Sequence, residues 1–162
     1  ESNTICAAML YDCVARKRIS IEEVVHNFGD EVADIINKVN KLNIILPIFS
    51  EIHLDAILDV IKSSENFELR LLTTNDILKS IKKSGYMRKF AILAKNHNIS
   101  IWKYSGDLNV FLSFGDKFTT LSLFFNDGHF DDSIMFVEKT EAGSIWSKKL
   151  LDFYIEDSIK VL

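Results

Sequence analysis

LNVFLSFGDKFTTLSLFFNDGHFDDS, residues 108–133, is the stretch whose reading decides the fold. Two apolar runs flank the turn Gly115-Asp116, which reads as two strands and a tight reversal. Leu108, Val110, Leu112 and Phe114 alternate with polar or second-face residues, the period of two that a strand requires. Beyond the turn, Phe118, Thr120, Ser122 and Phe124 share one face, and Thr119, Leu121, Leu123 and Phe125 share the other. The second strand is therefore apolar on nearly both sides, which predicts a central strand covered on two faces and places the hairpin in the middle of a sheet. The following NDGHFDDS has the Asp-Gly chemistry of a sharp turn.

Upstream of the hairpin, NIILPIFS reads as a short strand, with Pro47 limiting its hydrogen bonding on one side. IHLDAILDVIKSS is an amphipathic helix through Leu54, Ile57, Leu58 and Ile61, and FELRLLTT is a second strand. A helical region opens at Asp76, breaks at Ser84-Gly85 and continues through Phe90, Leu93 and Ala94. ISIWKYS is a third strand. Downstream, residues 135–138 suit a last short strand, and a closing helix from about Thr140 carries Trp146, Leu150, Leu151, Tyr154 and Ile155. Strand and helix alternate up to the hairpin. The fold predicted is α/β, a mixed sheet of about five or six strands with flanking helices, parallel members first and an antiparallel hairpin added.

Residues 1–43 read differently, as three helices forming a small segment ahead of an α/β domain over 44–162. Cys6, Met9, Leu10 and Cys13 mark the first helix, and Ser20 with Glu23 is a capping box opening the second, which Gly29 ends. Asp30 caps the third, striped by Val32, Ile35, Ile36, Val39 and Leu42. On one helix, Cys6 and Cys13 stand roughly 10 Å apart along the axis, too far to bridge. They are expected as free thiols of a reducing compartment, and the cytoplasm is the expected location.

Composition narrows the function. A net charge of −4 argues against the broad basic surface of a non-specific nucleic-acid binder and leaves room only for a small basic patch. There is no run of eighteen apolar residues and no charged start before an apolar segment, so neither a membrane span nor a signal peptide is expected. Six glycines and one proline leave no linker-like region. No phosphate-binding Walker loop, G-x-G-x-x-G or G-x-S-x-G occurs.

LRLLTTNDILKSI, then ISIWKYSGDLNVFLSFGDKFTTLSLFFNDGHFDDS, then IWSKKLLDFY, resemble the FilR1-type domain of archaeal methanogenesis-associated transcription regulators over about residues 44–162. Asp116, Phe118, Leu121, Leu123, Phe124, Phe125, Asp127 and Gly128 fill that family's D-x-F-x-x-L-x-L-F-F-x-D-G core. The resemblance implies a non-catalytic, effector-sensing module, with DNA contacted only through a helix-turn-helix part not visible in this chain. Within the α/β part, one half of a phospholipase D-like fold is also resembled. Such enzymes attack phosphorus with the histidine of a His-x-Lys-x4-Asp strand, whereas residues 111–116 hold no histidine.

TICAAMLYDCVARKRISIEEVVHNFGDEVADIINKVNKL resembles a fragment of the HD-type (p)ppGpp hydrolase domain of the RelA/SpoT family, matching at Asp12, Phe28-Gly29 and Asn40-Lys41-Leu42. The motif histidine is Tyr11, and residues 15–17 replace the family's Glu-Asp-Thr, so the fragment is degenerate. A hard metal site needs several converging ligands, and no metal or other cofactor is expected.

Within the α/β part, ligands bind outside the carboxyl ends of parallel strands. Ser50 ends the first strand and His53 follows it, while Thr73 and Thr74 lie at the end of the second, and these four are the candidate ligand-binding residues. Hydroxyls and an imidazole suit a small polar or anionic effector. Other polar groups have plainer readings. Asp127, His129, Asp131 and Asp132 form an exposed turn, without the spacing of a calcium loop. Lys79, Lys82, Lys83, Arg88, Lys89 and Lys95 make a solvated basic face. Trp102, Trp146 and Tyr154 are expected in the core. Two alternatives stand beside the sensor: a relative of the HD-type or phospholipase D-like phosphohydrolases, and a module that forms a homodimer through its terminal helix.

Overall fold

The computed structural model describes residues 40–116, 118–131 and 133–162, together with His26. It contains seven strands, β1 (Lys41–Leu46), β2 (Glu68–Thr74), β3 (Asn98–Tyr104), β4 (Phe111–Phe114), β5 (Thr119–Ser122), β6 (Phe136–Glu138) and β7 (Ser158–Lys160). Four helices accompany them among the described residues: α1 (Glu51–Ser63), α2 (Asn75–Lys83), α3 (Tyr86–Leu93) and α4 (Glu141–Glu156). The strands form one sheet in the order β6-β5-β4-β1-β2-β3-β7. β1, β2 and β3 are parallel neighbours, and every other pairing is antiparallel. This is the mixed α/β sheet that the alternation of elements predicts.

Each face of the sheet has its own core. Leu42, Ile44, Leu46, Leu69, Leu71, Ile99 and Ile101 alternate to one face and pack with residues of α1, α2 and α3. Ile45, Leu72, Leu112 and Phe114 point to the other, where Leu151 of α4 and Leu108 join them. The near-continuous apolar runs in β1 and β2 follow from this double cover.

Four details depart from the expectations drawn above. The count is seven strands among the described residues, because Ser158–Lys160, one residue beyond α4, add β7 to the edge of β3. A strand that short carries no readable alternation. β1 begins at Lys41, so Lys41, Leu42 and Asn43 are strand and not the end of a helix. Leu42 fits a helical stripe and a strand face equally well; pairing with Leu69, and the Lys41–Glu68 ion pair at 3.2 Å, decide for the strand. Pro47 consequently falls just beyond β1, where its missing N–H costs no ladder bond. The hairpin β4–β5 is interior but off centre, since β1 holds the middle of the sheet. β5 is buried on both faces only as far as Ser122, and Leu123 and Phe125 are about half exposed. Tyr11, Asp12, Cys6, Cys13 and the rest of the helical readings before residue 40, like Lys117 and Asp132, lie outside the described residues, His26 excepted.

The turns follow the chemistry of their sequences. At Gly85 the backbone adopts φ +82°, and this left-handed residue separates α2 from α3 where Ser84-Gly85 predicts a break. Gly128 does the same at φ +87° in the Asp-Gly turn, whose N–H donates to the carbonyl of Phe125 at 2.9 Å. No helix among the described residues is long and apolar enough to cross a membrane.

Candidate functional site

All three parallel strands end along one margin of the sheet. β1 passes to α1 through residues 47–50, and β2 runs directly into α2. β3 leaves through residues 105–110, which must cross the ends of β2 and β1 to reach β4. Leu108 of that crossing is buried against Ile45, Leu72 and Leu112, on the face that α4 covers. The margin is thus bounded by the first turns of α1 and α2 on one face and by the 105–110 crossing on the other.

Ser50 and His53 are brought together here. Ser50 is the N-cap of α1 in extended conformation, and its Oγ accepts from the backbone N–H of His53 at 3.4 Å while standing 2.8 Å from His53 Nδ1. The His53 ring also lies 5.2 Å from that of Phe111, the first residue of β4. Phe111 continues the row to Phe130 at 5.9 Å, and Phe130 to Phe124 at 5.4 Å. Sequence reasoning missed this row. Its one signal is that Phe124 and Phe130 flank the Asp127-Gly128 turn, which the structure closes with a bridge between them.

Thr73 and Thr74 take other duties. The Thr73 side chain is fully buried and its hydroxyl donates to the carbonyl of Leu46 at 2.8 Å, tying the end of β2 to the end of β1. Thr74 is the N-cap of α2, its Oγ1 accepting from the N–H of Ile77 at 3.5 Å.

Elsewhere the polar clusters are used locally. Asp127 Oδ1 accepts from the N–H of His129 at 3.1 Å, a bond that with the His129 side chain holds this exposed carboxyl below its usual range. Asp131 likewise accepts from the N–H of Ser133 at 3.0 Å. All six cations between Lys79 and Lys95 are exposed; Lys79 pairs with Asp76 at 2.8 Å, and Lys89 lies 4.1 Å over the Tyr86 ring. Among the described residues, two buried side-chain atoms have no hydrogen-bond partner, Asn43 Oδ1 and Trp102 Nε1, both on the face that α4 covers. Trp102 and Tyr154 are half-buried, as expected of core aromatics, but Trp146 is half exposed on the far side of α4.

The model of the family described as "Methanogenesis regulatory protein FilR1, middle domain" matches residues 25–157. The chain belongs to the FilR1 middle-domain family. This FilR1 middle domain is also similar in fold to TrmBL2, described as an archaeal chromatin protein whose structure shows a novel mode of DNA binding. The two share 15% sequence identity at a TM-score of 0.56, over 79% of this chain and 49% of that one. The chain therefore spans about half the length of that structure. No curated protein matches it.

Proposed function

We propose that this FilR1 middle domain is the effector-sensing, non-catalytic part of a transcription regulator of archaeal type, and that DNA is contacted by a part of the regulator outside this chain. Membership of a regulator family supports the regulatory role, and the likeness of fold to a DNA-binding chromatin protein agrees with it. The observation that carries the ligand is the pairing of Ser50 and His53 at the N-terminus of α1, on the carboxyl margin of the parallel strands and against the ring of Phe111. A hydroxyl and an imidazole beside the positive end of a thirteen-residue helix favour a small polar or anionic effector. Thr74 lies at the rim of the site, and Thr73 supports it from beneath. β4 reads Phe-Leu-Ser-Phe where a phospholipase D-like enzyme would place its attacking histidine, which supports the non-catalytic reading.

A thermal-shift screen of small carboxylates, phosphates and sugars against the chain tests it. An effector at about 100 times its Kd stabilises the folded state by roughly 2.7 kcal/mol. That corresponds to a rise of roughly 5–10 °C for a domain of this size. Ser50→Ala with His53→Phe keeps the ring contact to Phe111 and removes the polar groups, so the shift should disappear. A shift of full size in that double variant, or no shift with any compound, would sink the proposal.

A further inference from the structure

Helix α4 shows the solvent a more apolar surface than a helix that merely covers a sheet. Of its sixteen residues only Ser147 and Leu151 are buried, whereas α1 buries five of thirteen. Its sheet side packs Leu151, with Leu150, Tyr154 and Ile155, on the core and adds polar contacts: Ser147 and Thr119 share a hydrogen bond of 3.1 Å, and Asp152 meets Arg70 at 2.6 Å. Its outer side carries Ile145, Trp146 and Phe153, exposed at 48, 49 and 62%. At 3.6 residues per turn, Trp146 and Phe153 fall within about 20° of each other around the helix and roughly 10 Å apart along it. Lys149 flanks that line on the side of Ile145, while Leu150 on the other side turns inward and packs against the core beneath α4.

We propose that this outer stripe seats a second copy of the chain, α4 against α4, antiparallel about a two-fold axis passing between Lys149 and Leu150. The proposal stands independently of the effector reading. The spacing is self-complementary: the axis lies midway between Trp146 and Phe153, so one operation brings each copy's Trp146 to the other's Phe153 and matches both aromatic anchors at once. Charge points the same way. α4 has no basic residue in its last turn, and Glu156 stands at the end of its own helix where a negative charge is unfavourable. The antiparallel pairing moves Glu156 beside the first turn of the other copy, the positive end of that helix. Glu141 lies roughly 130° around the helix from the seam and stays outside it.

An aromatic side chain offers roughly 150–250 Å² in all, so the half-exposed Trp146 and Phe153, with Ile145 and the stem of Lys149, supply on the order of 400 Å² per copy. The total falls at the low end for specific association, under about 1,200 Å². A weak, reversible dimer is therefore expected, not an obligate one. Lys149 is the charge nearest the two-fold axis. Its stem covers apolar surface while the ammonium remains in water beside its symmetry mate. Added salt should consequently tighten the dimer.

Sedimentation equilibrium of the 1–162 chain, from about 1 µM to several hundred micromolar, tests this. The expected result is a monomer–dimer equilibrium that tightens with sodium chloride and with Lys149→Leu. Trp146→Glu or Phe153→Glu should raise Kd by roughly a hundredfold. Ile92→Glu, at an exposed apolar position of α3, should leave Kd unchanged. Should Trp146→Glu lose helical signal by circular dichroism, Phe153→Glu at the more exposed position decides. A monomer at every concentration would mean that another segment or partner covers α4 and would overturn the proposal. So would a dimer indifferent to both glutamate variants, or one that weakens with salt and with Lys149→Leu.

Discussion

Replacing Thr73 by Val separates a strut from a ligand contact at the carboxyl margin of the sheet. The Thr73 side chain is fully buried, and its hydroxyl donates to the Leu46 carbonyl at 2.8 Å. Valine has the same shape and β-branching, so packing and strand preference are kept and only the donor is lost. A buried acceptor deprived of its partner costs about 1–3 kcal/mol. Taking about 2 kcal/mol, the melting temperature of a domain this size should fall by roughly 4–8 °C. Thr73→Ser makes the converse change: it keeps the hydroxyl and removes one buried methyl, at a cost of about 1 kcal/mol. Urea denaturation at constant slope measures both. The effector shift, measured against each variant's own unliganded melting point, should survive in Thr73→Val. Valine stability within about 0.3 kcal/mol of the parent would show that the bond carries no weight. A stable variant that no longer responds to effector would show that Thr73 touches the ligand, and the division of roles among these residues would be wrong.

Burial works against ionisation of Asp152, but Arg70 at 2.6 Å and then Lys148 at 3.4 Å prevail and hold its carboxyl below the ordinary range. A depressed carboxyl contributes stability above its unfolded pKa and loses it as pH falls through the folded one. Asp152→Asn should therefore cost about 1 kcal/mol at neutral pH, limited by solvent exposure of the pair, and the gap to the parent should close below about pH 4 in urea titrations. Burial, then the hydrogen bond to Asp55 at 2.8 Å, push the Tyr86 hydroxyl up to about 12. That stability is present below the unfolded pKa of about 10 and is lost as pH rises through the folded value. Tyr86→Phe should cost about 1–2 kcal/mol at neutral pH and should abolish this alkaline loss; an unchanged alkaline limb followed by circular dichroism would refute the assignment. Gly85→Ala meets no atom within 4 Å but must hold φ at +82°, so about 1 kcal/mol of destabilisation is expected from backbone strain alone, read as a lower urea midpoint.

The sequence alone determined the α/β class, the order of the elements from residue 44 to the closing helix, the helix break at Ser84-Gly85 and the family. Each of these rests on local information: apolar periodicity, cap residues, turn chemistry and the spaced core from Asp116 to Gly128. The carboxyl margin with Ser50 and His53 was also legible, because helix caps and strand ends are written in neighbouring residues. Pairing was decided only by the tertiary structure. Leu42 suits helix and strand alike, and became strand because Leu69 lies beside it. β7 is three residues that gain meaning only against the free edge of β3. Thr73 reads as a strand-end hydroxyl until the register with β1 places it under the Leu46 carbonyl, which takes up its donor. Trp146 reads as a core aromatic because helical periodicity marks an apolar stripe without saying which side faces the sheet. That choice is made by contacts between residues far apart in the chain, and here Leu151 packs among Ile45, Leu72 and Leu112 while Thr119 and Arg70 bind Ser147 and Asp152, which leaves the tryptophan outside.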